Sequence, residues 1–204
     1  MHTQDNTIKV YDLITQKYAE KFFNDFGDMV TINQFLSMLP EKSKILDAGC
    51  GPGGFVKYAI SRGFDVQGID LSPRMLEIAK QKVKAKFSLM DMQNMSFPDT
   101  TFDAIVCTYT LIHTPSPQIN KTLIEFNRVL KPKGFLYLAV FKGQEEKFID
   151  EPLMKGQKIF TKYFTEPELE EQLGEAGFST LKITESYEGG DMGAEELYVI
   201  AQKS

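Results

Sequence analysis

The chain has only two cysteines, Cys50 and Cys107, which is no basis for a disulfide framework, and neither stands in a metal-ligand spacing. A reduced, cytoplasmic setting is therefore the expectation. Positive charge is also in short supply: 23 lysines and arginines face 28 aspartates and glutamates, for a formal charge of -5. A protein whose main partner is a nucleic-acid backbone needs a basic face, so that class is excluded. No run approaches the roughly 18 apolar residues of a membrane span. The first residues lack the basic region and apolar run of a secretion signal, and no internal repeat or low-complexity segment occurs. These absences leave small-molecule chemistry, with no nucleic-acid or membrane partner, by a monomer or homodimer.

What is present is enough apolar material, 42% of 204 residues, for one core. The organisation expected is a single domain over residues 1–204, with 1–40 as an N-terminal helical cap and 142–164 as an insertion near the site. Ile8, Tyr11, Leu13, Ile14, Tyr18, Phe22 and Phe23 recur at helical spacing, and a second helix runs from Met29 to Leu39, ended by Pro40. From Lys44 onward, short apolar runs alternate with amphipathic segments. Strands are expected at Lys44–Ala48, Phe64–Asp70, Lys86–Met90, Phe102–Cys107 and Phe135–Phe141, with helices between them. That alternation predicts an α/β fold with a parallel sheet. Lys131-Pro132-Lys133-Gly134 reads as a break before the fifth strand. Thr165 with Glu168 reads as a capping box opening a late helix. Two final strands, about Ser179–Tyr187 and Glu195–Ala201, flank Glu188-Gly189-Gly190-Asp191-Met192-Gly193.

The whole arrangement turns on Lys44 to Phe55, where a buried strand runs into a glycine turn and then a helix. Gly49, Gly51 and Gly54 satisfy G-x-G-x-x-G, a spacing shared with dinucleotide binders. Asp47, two residues before the first glycine, discriminates further. A carboxylate there opposes a pyrophosphate at the helix N-terminus but suits a ligand carrying an ammonium.

Ile45-Leu46-Asp47-Ala48-Gly49-Cys50-Gly51-Pro52-Gly53, Gly68-Ile69-Asp70-Leu71-Ser72, Asp91-Met92 and Asn127-Arg128-Val129-Leu130-Lys131-Pro132-Lys133-Gly134 together resemble the class I S-adenosylmethionine-dependent methyltransferases. The resemblance implies a Rossmann-like, doubly wound, seven-stranded and mostly parallel sheet with an antiparallel last strand. It also implies S-adenosylmethionine as cofactor, S-adenosylhomocysteine as product and methyl transfer to a small-molecule acceptor. By the same resemblance Asp70 receives the ribose hydroxyls, Asp91 and the Met92 amide meet the adenine, and Leu71 and Met75 flank it. Asp47, Gly49, Gly51 and the backbone near Cys107 and Thr108 hold the methionine end, which Tyr18 and Tyr11 cover. Tyr109, His113, Phe160 and Tyr163 face the acceptor, with His113 a candidate general base of useful pKa. Both cysteines are read as structural, and no metal site is expected. Two other classes fit parts of the pattern: an NAD(P)-dependent oxidoreductase, and a non-catalytic S-adenosylmethionine-binding module.

Overall fold

The computed structural model describes residues 3–186 and 194–204, so the expected Glu188–Gly193 turn lies outside the described residues. Helices α1 (Thr3–Phe22) and α2 (Met29–Ser37) precede β1 (Lys44–Ala48), α3 (Gly54–Ser61), β2 (Asp65–Asp70), α4 (Pro73–Lys82), β3 (Lys86–Leu89) and β4 (Phe102–Thr108). A 3-10 turn (Leu111–His113) leads into α5 (Ser116–Val129) and β5 (Leu130–Phe141). Then follow β6 (Glu146–Asp150), β7 (Lys158–Lys162), α6 (Glu166–Glu175), β8 (Phe178–Ser186) and β9 (Glu196–Lys203).

Seven strands form one sheet in the order β3-β2-β1-β4-β5-β9-β8, and β6 with β7 forms a separate pair. The first five strands run parallel, while β9 lies antiparallel between β5 and β8. This is the expected doubly wound sheet with its reversed last strand. Consecutive strand residues fall into different cores. Leu46, Ile105 and Leu136 pack on one face, and Ile45, Ala104 and Tyr137 on the other. Burial on both faces is why these strands read as unbroken apolar runs rather than alternations. The strand order reverses between β1 and β4, and the crevice beyond their carboxyl ends is where such sheets bind ligands.

Three stretches differ from expectation. Lys131 to Gly134 does not separate helix from strand, because β5 already begins at Leu130, paired with Phe102. The register shifts between Phe102 and Ala104, where Lys133 takes a φ of 62° and the Lys131 Nζ reaches Asp103 Oδ1 at 2.7 Å. Those four residues are an irregularity inside the strand rather than its boundary. Residues 142–164, which showed no period, contain the β6–β7 hairpin, with the Phe148 and Phe160 rings 5.8 Å apart. The expected capping box is half formed. Thr165 Oγ1 accepts the Glu168 amide at 3.3 Å, whereas the Glu168 carboxylate is drawn off to Lys162 at 2.7 Å.

Arg128 supplies a physical reason for the Asn127-to-Gly134 motif. Its guanidinium donates to Glu125 Oε2 at 2.8 Å, Glu125 Oε1 at 2.7 Å and Asp99 Oδ1 at 2.6 Å. It also donates to the carbonyls of Phe97 at 2.8 Å and Met95 at 2.9 Å. One side chain thus pins the loop after β3 to α5. With each hydrogen bond contributing roughly 0.5–1.5 kcal/mol and part of the network exposed, Arg128→Met should cost about 2–3 kcal/mol in a urea melt. A loss under about 0.5 kcal/mol would refute the pinning role.

Candidate functional site

β1 delivers Asp47 to the crevice, and the chain then turns through Gly49, Gly51 and Gly53 at φ of 84°, 48° and 88°. Side-chain-bearing residues rarely adopt that region. At Gly49 a Cβ would in addition overlap the Thr110 side chain. The turn is laced to β2 by the Gly49 and Cys50 amides, which donate to the Ile69 carbonyl at 2.8 and 2.9 Å. Gly68 opposite has no room for a Cβ because the Cys50 Sγ lies against it.

Asp70, the last residue of β2, completes the cradle. Its Oδ2 accepts the Gly51 amide and its Oδ1 the Ser72 amide, each at 2.8 Å. A carboxylate has about four lone-pair positions, so each oxygen keeps capacity for a ligand hydroxyl. Burial raises the Asp70 pKa, against the lowering effect of these amides. Ser72 takes over the capping of α4, accepting the Met75 amide at 3.0 Å, and its hydroxyl donates to Asp12 Oδ1 at 2.5 Å. That bond docks α1 over the crevice.

Between the turn, α1, the 3-10 turn and the hairpin lies a cavity of about 400 Å³. Asp25, Asp28, Asp47, Asp70, Glu151 and Glu196 contribute to its wall, and no lysine or arginine does among the described lining residues. Asp47 is 2% exposed. Burial, reinforced by the charge of Asp70, holds its pKa well above the usual carboxylate range. Such a carboxylate is an unmet demand for a positive charge or a donor. Tyr11 and Tyr18 meet edge to face with centroids 5.5 Å apart, and both line the cavity.

The environment of His113 differs from that expected of a neutral-range base. Its Nδ1 lies 2.7 Å from the Phe160 carbonyl and its Nε2 2.8 Å from the Tyr11 hydroxyl. A carbonyl only accepts, so Nδ1 carries the proton and Tyr11 donates to Nε2. Burial lowers the pKa to about 4 despite the Phe160 carbonyl. The neutral ring is favoured in the folded state, so the associated stability is complete above the unfolded value of about 6.5 and is lost as pH falls toward 4. The stability difference between the protein and His113→Asn, from urea melts, should therefore narrow by about 3 kcal/mol between pH 7 and pH 4. A pH-independent difference would exclude the buried neutral imidazole.

Tyr11, Tyr18, Asp47, Gly49, Gly51, Asp70, Leu71, Met75, Met92, Thr108, Tyr109 and His113 all meet at this cavity. Asp91, Cys107, Phe160 and Tyr163 are not part of its wall. The Asp91 carboxylate accepts the Gln93 amide at 2.9 Å. Cys107 is buried in the core, its thiol pushed up to about 12 chiefly by burial. The Phe160 ring turns to Phe148, and Tyr163 lies against Phe141. In β7 strand alternation turns Ile159 and Thr161, rather than Phe160, toward the cavity. Glu151, Glu196 and Tyr198 also line it without having been expected. Tyr198 donates to Glu196 and lies 3.4 Å from the Tyr109 hydroxyl. Glu196 and Tyr198 are two apart on β9 and so share one face, a signal present in the sequence. Tyr109 takes a φ of 51°, uncommon for a bulky residue.

Comparison with known proteins gives a consistent family. A family model described as a methyltransferase domain matches residues 45–134. Among curated relatives, the chain is 34% identical over 130 residues to 2-methyl-6-phytyl-1,4-hydroquinone methyltransferase of Synechocystis sp., covering 59% of this chain and 40% of that protein. It is 36% identical over 101 residues to demethylmenaquinone methyltransferase of Tropheryma whipplei, covering 48% and 41%. The chain thus spans less than half the length of these relatives. A solved S-adenosylmethionine-dependent methyltransferase of Methanosarcina mazei superposes with a TM-score of 0.75 at 25% identity, covering 85% of this chain and 96% of that one. The 1,6-didemethyltoxoflavin N1-methyltransferase of Burkholderia thailandensis, solved with S-adenosylhomocysteine bound, superposes with a TM-score of 0.79 at 20% identity, covering 100% and 91%.

Proposed function

Because the chain belongs to the class I S-adenosylmethionine-dependent methyltransferase superfamily, we propose that it transfers the methyl group of S-adenosylmethionine to a small-molecule acceptor bound in the same cavity. The observation that carries this reading is the pairing of a glycine cradle with Asp47, a buried carboxylate on the cavity wall. A pyrophosphate at that turn would meet Asp47 and Asp70 with no lysine or arginine on the described wall, which weighs against the NAD(P) alternative. A cofactor that is cationic at its amino acid nitrogen and at sulfur suits the same charges. The cavity continues past the cradle to His113 and Thr161, which favours an enzyme over a non-catalytic binding module.

In this reading Asp70 receives the ribose hydroxyls, Leu71, Met75, Met90 and Met92 enclose the adenine, and Asp47 with the Gly49 carbonyl takes the ammonium. Asp91 lies one residue from both methionines and contributes by shaping their turn through its bond to the Gln93 amide. Tyr11 and Tyr18 roof the methionine end. S-adenosylmethionine, when bound, supplies a methyl group on a sulfonium, a leaving group that needs no further activation. The protein's part is to hold the acceptor in line and exclude water. The relatives named for quinone substrates support a small acceptor. No helix among the described residues is long and apolar enough to cross a membrane.

The test is a calorimetric titration with S-adenosylmethionine, S-adenosylhomocysteine and NAD in parallel, followed by an acceptor screen for labelled methyl transfer. One-site binding of the first two and not of NAD is the expected result. Binding of NAD alone would overturn the assignment.

A further inference from the structure

Resting on the methyl-transfer reading, we propose that Tyr109 selects the methyl acceptor: its phenol oxygen, kept as a pure hydrogen-bond acceptor by Tyr198 and Glu196, receives a hydroxyl or amine hydrogen of the bound molecule. One oxygen meets the ligand. Glu196 and Tyr198 are positioning residues that act through it.

Tyr109 stands beside the glycine cradle. It precedes Thr110, whose Oγ1 lies 3.3 Å from the Gly49 carbonyl, and a Cβ added to Gly27 would come within 3.9 Å of the Tyr109 Cε2. Its ring centroid is 5.7 Å from that of Phe141, and Phe141 is paired with Glu196 across β5 and β9. Tyr109, Phe141, Glu196 and Tyr198 all line the cavity. Glu196 and Tyr198 are only 7% and 5% exposed, whereas Tyr109 is partly exposed. Of the three polar groups, the Tyr109 phenol is the one a ligand meets.

The direction of each hydrogen bond follows by elimination. The Tyr198 hydroxyl donates to the Glu196 carboxylate, which only accepts. Tyr198 has then spent its single proton, so across the 3.4 Å between the two hydroxyls Tyr109 is the donor. Burial raises the Glu196 pKa, and the two phenols beside it lower it. Burial also raises both phenols, so each keeps its proton. Every proton of the cluster is turned inward, and Tyr109 offers the cavity only lone pairs.

A ligand group that faces those lone pairs has to donate. A hydroxyl or an amine does so, while a ketone, ether or carboxylate sets acceptor against acceptor on a buried wall. No lysine or arginine on the described wall supplies such a group with a donor. A site built to bond one polar hydrogen rejects the analogue lacking it far better than an apolar pocket rejects a methylene. The methyl acceptor that follows is an alcohol, phenol or amine, not a carbonyl compound or an acid.

The experiment saturates the protein with S-adenosylhomocysteine and follows, by protein-observed NMR titration, 1-phenylethanol against acetophenone and cyclohexanol against cyclohexanone. 1-Phenylethylamine, run beside them, tells whether an ammonium or a hydroxyl is the preferred donor. In the parent protein at least one alcohol should bind about tenfold more tightly than its ketone. Tyr109→Phe removes the oxygen and keeps the ring, so that ratio should fall below about twofold. Glu196→Gln tests the positioning role. A primary amide donates as well as accepts, so the chain of bonds can run outward and the Tyr109 proton can meet a carbonyl. The ratio should there fall below about threefold through tighter ketone binding, which a merely loosened fold would not produce. S-adenosylhomocysteine affinity should stay within about threefold in both variants. No alcohol binding, a ratio below about twofold in the parent, a ratio unchanged in either variant, or loss of S-adenosylhomocysteine by the variants would overturn selection by Tyr109 and leave the cofactor reading intact. Failure of S-adenosylhomocysteine to bind the parent protein would overturn the reading beneath it.

Discussion

Asp70→Ala is expected to weaken S-adenosylhomocysteine binding by about 10- to 100-fold, since hydrogen bonds to a charged group contribute roughly 1.5–3 kcal/mol and each 1.4 kcal/mol is a decade. Two losses combine in that number. The ribose loses its acceptors, and the Gly51 and Ser72 amides lose the carboxylate that fixes the turn. Asp70→Asn separates them. The amide side chain has one oxygen, so it satisfies one of the two backbone donors and sets its own NH2 against the other. If pre-organisation of the turn dominates, Asn should be as damaging as Ala; if the ribose contact dominates, Asn should retain part of the affinity. Calorimetry on variants shown folded by circular dichroism reads the outcome. An unchanged affinity in Asp70→Ala would remove Asp70 from the site.

Gly49→Ala is expected to be strongly destabilising, because strain and overlap act together there. At φ 84° an alanine carries a backbone penalty of about 1–2 kcal/mol. Its Cβ would also overlap the Thr110 side chain, including that residue's own Cβ, and over-packing of this kind costs about 1–3 kcal/mol more. The sum corresponds to a fall in Tm of about 5–15 °C for a chain of this size. The cause is checkable by a second substitution. Thr110→Gly in the Gly49→Ala background removes the overlap but not the dihedral strain, so it should recover about half the loss. No recovery would place the whole cost in the backbone, and a Tm within about 2 °C of the parent for Gly49→Ala alone would contradict both contributions.

The sheet and the glycine-turn side of the cavity were readable in the sequence because each depends on local chemistry. A doubly buried strand is an apolar run, Gly49 and Gly51 mark φ values few other residues adopt, and Ser72-Pro73 marks a helix start that the structure reproduces. The far half was harder because its meaning lies in partners distant in sequence. His113 looked like an ordinary base until Phe160, 47 residues on, took one nitrogen and Tyr11, 102 residues back, the other. The β6–β7 hairpin was obscured because β6 is largely exposed and charged, so no apolar alternation announced it. Choosing Phe160 by aromatic character selected the wrong face of a period-two element, where Ile159 and Thr161 point inward, whereas Tyr163 lies just past the end of that strand and packs on Phe141. Leu13 fails for the same kind of reason: it fits a loose apolar pattern in α1 yet is 65% exposed, while Val10 is buried.

The hairpin leaves and rejoins the sheet at nearly one point. Lys142 forms a lone bridge with Phe164, the Gly143 amide donates to the Phe164 carbonyl at 2.9 Å, and the Phe164 amide returns to the Phe141 carbonyl at 2.8 Å. An excursion whose two ends are already joined can be lengthened, shortened or exchanged at little entropic cost to the rest of the chain. The strands that hold Asp47 and Asp70 would not register the change. The architecture therefore sets a cradle fixed in the sheet apart from a flap joined to it at one point, and on the proposed reading it is through that flap that a protein engineer would alter the companion molecule without rebuilding the scaffold.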